Sequence, residues 1–245
     1  MNDELGPDGG WAASAPAWIE GQARDDDPNR VLLLDPVMLE LSGPVEGKRV
    51  LDLGCGEGRF SRMLAQRGAR VVGLDLIAEM VIAAQGRVSS AESYVQATAE
   101  SVPFADSTFD LVVSYVSLVD IPDFRAAIHE SARVLRQGGR FLVANLNFAS
   151  ASLIPSWARD EDGRRLFMRI DRYADEYARV LEWAGVKILN WHRPLSAYMK
   201  AYLEADLLLR EYLEPVPSDE SLRDDPSTED WFRVPIFDVM VWEKP

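Results

Sequence analysis

At 245 residues, of which 47% are hydrophobic and 27% charged, the chain is long enough to bury a sizeable core and falls within the range of folded globular proteins. Its 40 acidic residues against 26 basic ones leave a formal net charge of −14, which repels nucleic-acid phosphates and anionic membranes and argues against both as partners. The single cysteine, Cys55, excludes an intramolecular disulfide and a cysteine zinc centre, and no metal is expected.

The opening MNDELGPDGG has neither the basic nor the apolar region of a secretory signal, and no apolar run approaches the ~20 residues of a membrane span. A cytoplasmic setting is therefore expected. Residues 1–45 lack the alternation that follows and read as N-terminal cap helices. From 46 to 145, short β-branched runs alternate with amphipathic stretches, the pattern of a parallel sheet covered by helices. Residues 50–53 form the first predicted strand. Phe60, Met63 and Leu64 then share a helix face that Gly68 can end. A strand over 71–74, a helix over 77–86, a short strand over 94–96 and a buried strand over 110–114 follow. Phe124, Ala127, Ile128, Ser131, Val134 and Leu135 fall at helical spacing, and Gln137, Gly138 and Gly139 turn the chain into a fifth strand over 141–144.

Residues 146–194 break the repeat and read as an inserted lid over the substrate cavity. The acidic stretch 215–233 is a second such candidate. Between them Leu195, Tyr198, Met199 and Tyr202 mark a helix over 195–204, and apolar runs at 207–213 and 237–242 supply two more strands. Residues 195–245 thus complete the sheet. The expected architecture is α/β: a doubly wound, Rossmann-like, seven-stranded and mostly parallel sheet with helices on both faces.

The most informative stretch is VLDLGCGEGRF, residues 50–60, a strand running into a glycine turn and then a helix. Glycine permits positive φ there and lets a ligand touch bare backbone. A glycine turn alone is shared by many nucleotide folds. Its neighbours are acidic, however, and Asp52 and Glu57 would repel the pyrophosphate of a dinucleotide. S-adenosylmethionine (SAM) carries a sulfonium and an α-ammonium that a carboxylate attracts, and a carboxylate that suits the N–H donors of the turn. The spacing of Gly54, Gly56 and Gly58 also departs from G-x-G-x-x-G. Asp75, about 20 residues past the turn, is placed to accept both ribose hydroxyls. Thr98, Ala99 and Glu100 could meet an adenine edge, and Arg30 could face the SAM carboxylate.

VLDLGCGEGRF, VVGLDL, AESVPFADSTFDLVVS and RVLRQGGRFLVAN together resemble the class I SAM-dependent methyltransferases, in particular the small-molecule branch that includes quinone-biosynthesis enzymes. The resemblance spans residues 49–145 and resumes more weakly at HRPLSAYMKAYLEADLLLREYLEP. It implies that Asp52, Gly54, Cys55, Gly56 and Gly58 hold the methionine part of SAM, Asp75 and Leu76 the ribose, and Ala99 and Glu100 the adenine region. It also implies that Ser114 and Tyr115 line the site. The family often has Asp at the position of Thr98, and His where this chain has Val119 and Asp120. Ser114-Tyr115-Val116-Ser117 differs from the Asn/Asp-Pro-Pro-aromatic signature of nucleic-acid amino-methyltransferases.

The implied activity is methyl transfer to a small organic acceptor. Acceptor contacts are expected from Asn147, Tyr173, Trp191 and Arg193, and a general base from His192, whereas His129 reads as a packed helix residue. Cys55 lacks a base that would make it a nucleophile. A SAM-binding module without catalysis and an NAD-dependent oxidoreductase are the alternatives. The oligomeric state is not encoded legibly.

Overall fold

The computed structural model describes residues 5–24, 27, 29–89, 91–147, 157–218 and 230–245. Seven strands make one sheet: β1 (Arg49–Leu53), β2 (Arg70–Asp75), β3 (Glu92–Gln96), β4 (Phe109–Tyr115), β5 (Leu135–Leu146), β10 (Leu208–Leu213) and β11 (Phe237–Glu243). Their order is β10-β11-β5-β4-β1-β2-β3. The strands from β5 through β4, β1 and β2 to β3 are parallel, and β11 runs antiparallel to both β5 and β10. The predicted doubly wound sheet is therefore present. Its order reverses at β1, which has β2 on one side and β4 on the other, and ligands of such sheets bind beyond the carboxyl ends at that switch point.

Alternate side chains of each strand point to opposite faces, so one hydrophobic run feeds two cores. Leu51, Leu53, Val112, Phe141, Val143, Met240 and Trp242 meet helices α5 (Phe124–Val134) and α6 (Leu195–Glu204). Their neighbours Val50, Leu111, Val113, Leu142, Ala144 and Val241 meet α2 (Asp35–Ser42) and α3 (Arg59–Gln66) on the other face. Trp242 is fully buried and stacks on Tyr202 at 4.5 Å between ring centroids. A fifth helix, α4 (Ala78–Gln85), follows β2.

Two differences from the predicted elements have local causes. Strand β5 begins at Leu135, six residues early, because the β4–β5 register jumps from Phe109↔Leu135 to Leu111↔Arg140 and residues 136–139 loop out as the expected turn. The region 146–194, predicted without internal elements, holds two hairpins. Strands β6 (Trp157–Arg159) and β7 (Arg165–Met168) form one, and β8 (Tyr177–Trp183) and β9 (Val186–His192) the other. Ala184 and Gly185, at φ 44° and 85°, make a two-residue turn whose twist matches that of the strands. Residues 148–156, and 219–229 of the acidic stretch, lie outside the described residues.

Helix α1 (Trp11–Gln22) is fastened to β9. Leu189 N donates to Gly9 O at 2.8 Å, Ser14 Oγ to Lys187 O at 3.0 Å and Lys187 N to Ser14 Oγ at 2.9 Å. A π-helical turn, Asn29–Leu34, links this region to α2. Among the described residues no helix is long and apolar enough to cross a membrane.

Candidate active site

A cavity of about 570 Å³ lies beyond the carboxyl ends of β1, β2 and β4, beneath α1 and the β8–β9 hairpin. Its floor is the glycine turn. Gly54 and Gly56 adopt φ of 72° and 55°, which the left-handed region permits to glycine at little cost. Gly54 N and Cys55 N both donate to Leu74 O, at 2.8 and 3.0 Å, and Gly56 N donates to Asp75 Oδ2 at 2.8 Å. The end of β2 thereby holds the turn open toward the cavity.

Asp75 takes a second bond from Ile77 N on Oδ1 at 2.9 Å, so each carboxylate oxygen is steadied by one N–H and keeps acceptor capacity. Burial pushes its carboxyl above the usual range against the pull of those N–H groups. Asp52 is 1% exposed and accepts from Ser61 Oγ at 2.6 Å. Burial raises its pKa to about 6, Asp75 adds to the rise, and the Ser61 hydrogen bonds and the Arg30 charge oppose it. Two carboxylates thus border the turn.

Glu57 also lines the cavity, but its charge is already paired. Its buried carboxylate receives Arg62 Nη2 on both oxygens, at 3.0 and 2.8 Å, and also Arg87. Two guanidinium groups cancel the charge that was expected to face a ligand. Arg30 does face the cavity, with its guanidinium 5.1 Å from the Trp18 ring centroid and 5.2 Å from that of Tyr115. The Tyr115 hydroxyl is committed to Asp35 at 2.7 Å, and Asp35 is gripped by both Nη atoms of Arg59 at 2.9 and 2.6 Å, so Tyr115 presents its ring.

Leu76, Thr98, Ala99 and Glu100 also line the cavity, and the Thr98 hydroxyl donates to the Glu100 carboxylate. With Asp52, Gly54, Cys55, Gly56, Asp75, Tyr115 and Arg30, eleven of the predicted cofactor residues share one wall system. Gly58 and Ser114 do not. A Cβ on Gly58 would lie 2.6 Å from the Tyr94 hydroxyl, so that glycine serves helix packing, and the buried Ser114 hydroxyl sits 2.7 Å behind Ser117 Oγ.

None of the residues predicted on the acceptor side lines the cavity. His192 is fully buried, with Nε2 2.9 Å from Tyr173 O and its ring against Tyr177, and burial lowers its pKa. The Tyr173 hydroxyl accepts from Leu195 N at 3.1 Å, and Asn147 Nδ2 donates to Glu214 at 2.9 Å. Trp191 N donates to Val119 O at 2.8 Å, and Arg193 donates to the carbonyls of Leu118, Ile121 and Pro122 at 2.9, 2.6 and 3.0 Å. Trp191 and Arg193 thus clamp the loop after β4, and His192, Tyr173 and Asn147 are engaged elsewhere. The cavity instead contains Ser117, Asp120, Leu181, Trp183, Ile188 and Asn190. Alternation along VKILNWH signals the strand that carries Asn190; nothing local signals that it meets Asp120.

Residues 51–143 match a methyltransferase domain family. The chain is 32% identical over 187 residues to the ubiquinone/menaquinone biosynthesis C-methyltransferase UbiE of Haemophilus ducreyi, covering 65% of this chain and 71% of that protein. It is 34% identical over 126 residues to the malonyl-[acyl-carrier protein] O-methyltransferase of Hamiltonella defensa, covering 51% and 48%. An uncharacterised Mycobacterium tuberculosis protein aligns at 38% identity over 43% of this chain and 40% of its own length. The chain thus spans about half the length, or less, of several curated relatives it matches. A solved SAM-dependent methyltransferase from Mesorhizobium loti superposes with a TM-score of 0.80 at 26% identity, covering 90% of this chain and 99% of that one. The chain belongs to the class I SAM-dependent methyltransferase family.

Proposed function

We propose that the chain binds SAM on the turn between β1 and α3 and transfers its methyl group to a small organic acceptor in the same cavity. The observation that carries this reading is the pairing of buried Asp52 and half-buried Asp75 around a positive-φ glycine turn, with Arg30 facing the same space. A zwitterionic amino-acid group fits that arrangement: its ammonium and the adjoining sulfonium gain from Asp52, and its carboxylate gains from Arg30 and the turn N–H groups. Asp75 would take the ribose hydroxyls, and Ala99 with Glu100 the adenine. A pyrophosphate would meet two carboxylates, which disfavours the NAD-dependent alternative.

When bound, SAM supplies a methyl carbon already activated by sulfonium, and the bond electrons return to sulfur, so no oxidant or metal is required. The protein aligns and dries the site, which contributes up to ~7–11 kcal/mol in well-oriented reactions. Trp11, Trp18 and Trp183 give it an apolar roof, with Trp18 edge-on to Trp11 at 5.3 Å and to Trp183 at 6.5 Å. In this reading 46–145 and 195–245 form the cofactor-binding body, and 1–45 with 146–194 cap it. The net charge of −14 favours a small molecule over nucleic acid, and a single cysteine suits a cytoplasmic setting. Incubation with methyl-labelled SAM and fractionated metabolites tests the activity. Label should enter a low-mass acceptor; tight SAM binding with no label in any fraction would favour a non-catalytic module.

A further inference from the structure

The loop after β4 carries a carboxylate that cofactor binding does not use. Asp120 lines the cavity and accepts a hydrogen bond on Oδ1 from Asn190 Nδ2 at 2.9 Å. Among the described residues its other oxygen has no hydrogen-bond partner. Asn190 comes from β9, 70 positions further along the chain, so the contact is made only once the hairpin is docked.

The loop itself is held in one shape. Val116 sits at φ 60°, a conformation that β-branched residues rarely adopt, and its N–H donates to Ala144 O at 2.9 Å. Asp120 N closes a turn onto Ser117 O at 3.0 Å, and Trp191 and Arg193 clamp the carbonyls on either side. Strain of this kind persists only where the surroundings over-determine it, and here those contacts aim Asp120 into the cavity.

We propose that Asp120, positioned by Asn190, is the general base that takes the proton from a hydroxyl of the acceptor, and that the acceptor is an apolar, ring-bearing molecule of the phenol type. This rests on the methyl-transfer reading above. The segments that carry Asp120 and its partner Asn190 also give the cavity apolar side chains, Val119, Ile121, Leu181, Trp183 and Ile188, beside the polar Ser117. A carboxylate acceptor would meet Asp120, which the cofactor leaves free, and be repelled by its ionised form. A protonated amine would pair with ionised Asp120 and keep its proton, because an adjacent opposite charge favours the charged form. A phenol donating to Asp120 gains neither penalty and is activated by the contact.

In the step itself, the acceptor O–H bond breaks and its electron pair stays on oxygen. The proton forms an O–H bond on the free oxygen of Asp120 and passes to water when the cavity opens. The groups acting on Asp120 agree with the role. Burial and the Asp75 charge raise its pKa to about 7, while Asn190 and the Arg193 charge hold it down, so it is half ionised near neutrality. Arg179 lies behind, 3.5 Å from Asn190 Oδ1.

Three proteins decide the matter: wild type, the near-isosteric Asp120→Asn and Asn190→Ala, each checked for folding by thermal melting. Calorimetry should give SAM affinities within about twofold of one another. With labelled SAM, simple phenols should be methylated in preference to benzoates and benzylamines. Asp120→Asn should then lower turnover ~10²–10⁴-fold, the usual contribution of a general base. Wild-type kcat/KM should fall tenfold per pH unit below about 7, and Asn190→Ala should move that limb to higher pH. Independently of turnover, a carboxyl infrared band absent from Asp120→Asn should shift when 4-nitrophenol, but not nitrobenzene, is added to protein loaded with S-adenosylhomocysteine. A band indifferent to the hydroxyl, or phenol methylation unaffected by Asp120→Asn, overturns the assignment. Failure of wild type to bind SAM would instead overturn the activity on which it rests.

Discussion

Gly54 and Ser117 touch across the floor of the cavity. A Cβ on Gly54 would lie 2.5 Å from that of Ser117, whose hydroxyl donates to Leu53 O at 2.5 Å. The turn after β1 and the loop after β4 therefore share one surface, and glycine is required for both its φ of 72° and its lack of a side chain. Gly54→Ala should lose about 1–2 kcal/mol to the left-handed backbone alone. Because Ser117 must also move, calorimetry should show SAM affinity falling at least tenfold. A variant that binds SAM as wild type does would separate these loops from the site.

Asp52 links the cavity to pH. Its pKa of about 6 is set first by burial. A cation there favours the ionised form, so binding should take up no proton above that pH and weaken below it. The sign for folding is the opposite. A carboxyl whose folded pKa is raised stabilises most below its unfolded value of 3.8, and that contribution is lost as pH rises through about 6. Titrating SAM affinity between pH 5 and 8 should show a decline at the acid end that Asp52→Asn removes, along with much of the affinity.

Glu57 separates charge from selectivity. Because Arg62 and Arg87 hold it, Glu57→Ala should act on stability, by about 1.5–3 kcal/mol as judged from hydrogen bonds to charged groups. Denaturant melts should show that loss, while the preference for SAM over NAD⁺ stays. Weakened discrimination would show that its charge still acts on the ligand.

His192→Ala should likewise lower the melting temperature and leave SAM affinity unchanged, because His192 joins β9 to Tyr173 and is sealed from the cavity. Its lowered pKa gives stability that is present above the ordinary histidine value and lost as pH falls through the folded one. A turnover defect at full stability, seen in parallel melting and activity assays, would contradict this placement.

These cases mark how far the sequence could be read. The mostly parallel sheet with helices on both faces followed from the pattern of the chain, since Val50 and Leu51 must face opposite ways in any strand; the order of the strands within it did not. The wall proposed for the cofactor followed from local signals: glycines at a strand end, then Asp75 at the next. The acceptor wall did not, because it forms between segments far apart in the chain. Arg193 sits 75 residues from Leu118, and nothing near it says that its guanidinium is spent on backbone carbonyls. Glu57 was misjudged for the same reason, as Arg87 reaches it across 30 residues. The hairpin that turns at Ala184 and Gly185 was not anticipated, because the Asn-Gly or Asp-Gly pair that marks such turns most clearly is absent.

Isothermal calorimetry of the wild-type chain against SAM and NAD⁺, repeated with Asp75→Ala, bears most directly on the cavity's assignment. SAM should bind in a one-to-one ratio, NAD⁺ should give no measurable heat, and Asp75→Ala should weaken SAM at least tenfold while the melting curve stays cooperative. Tight NAD⁺ binding, or SAM affinity indifferent to Asp75, would contradict it.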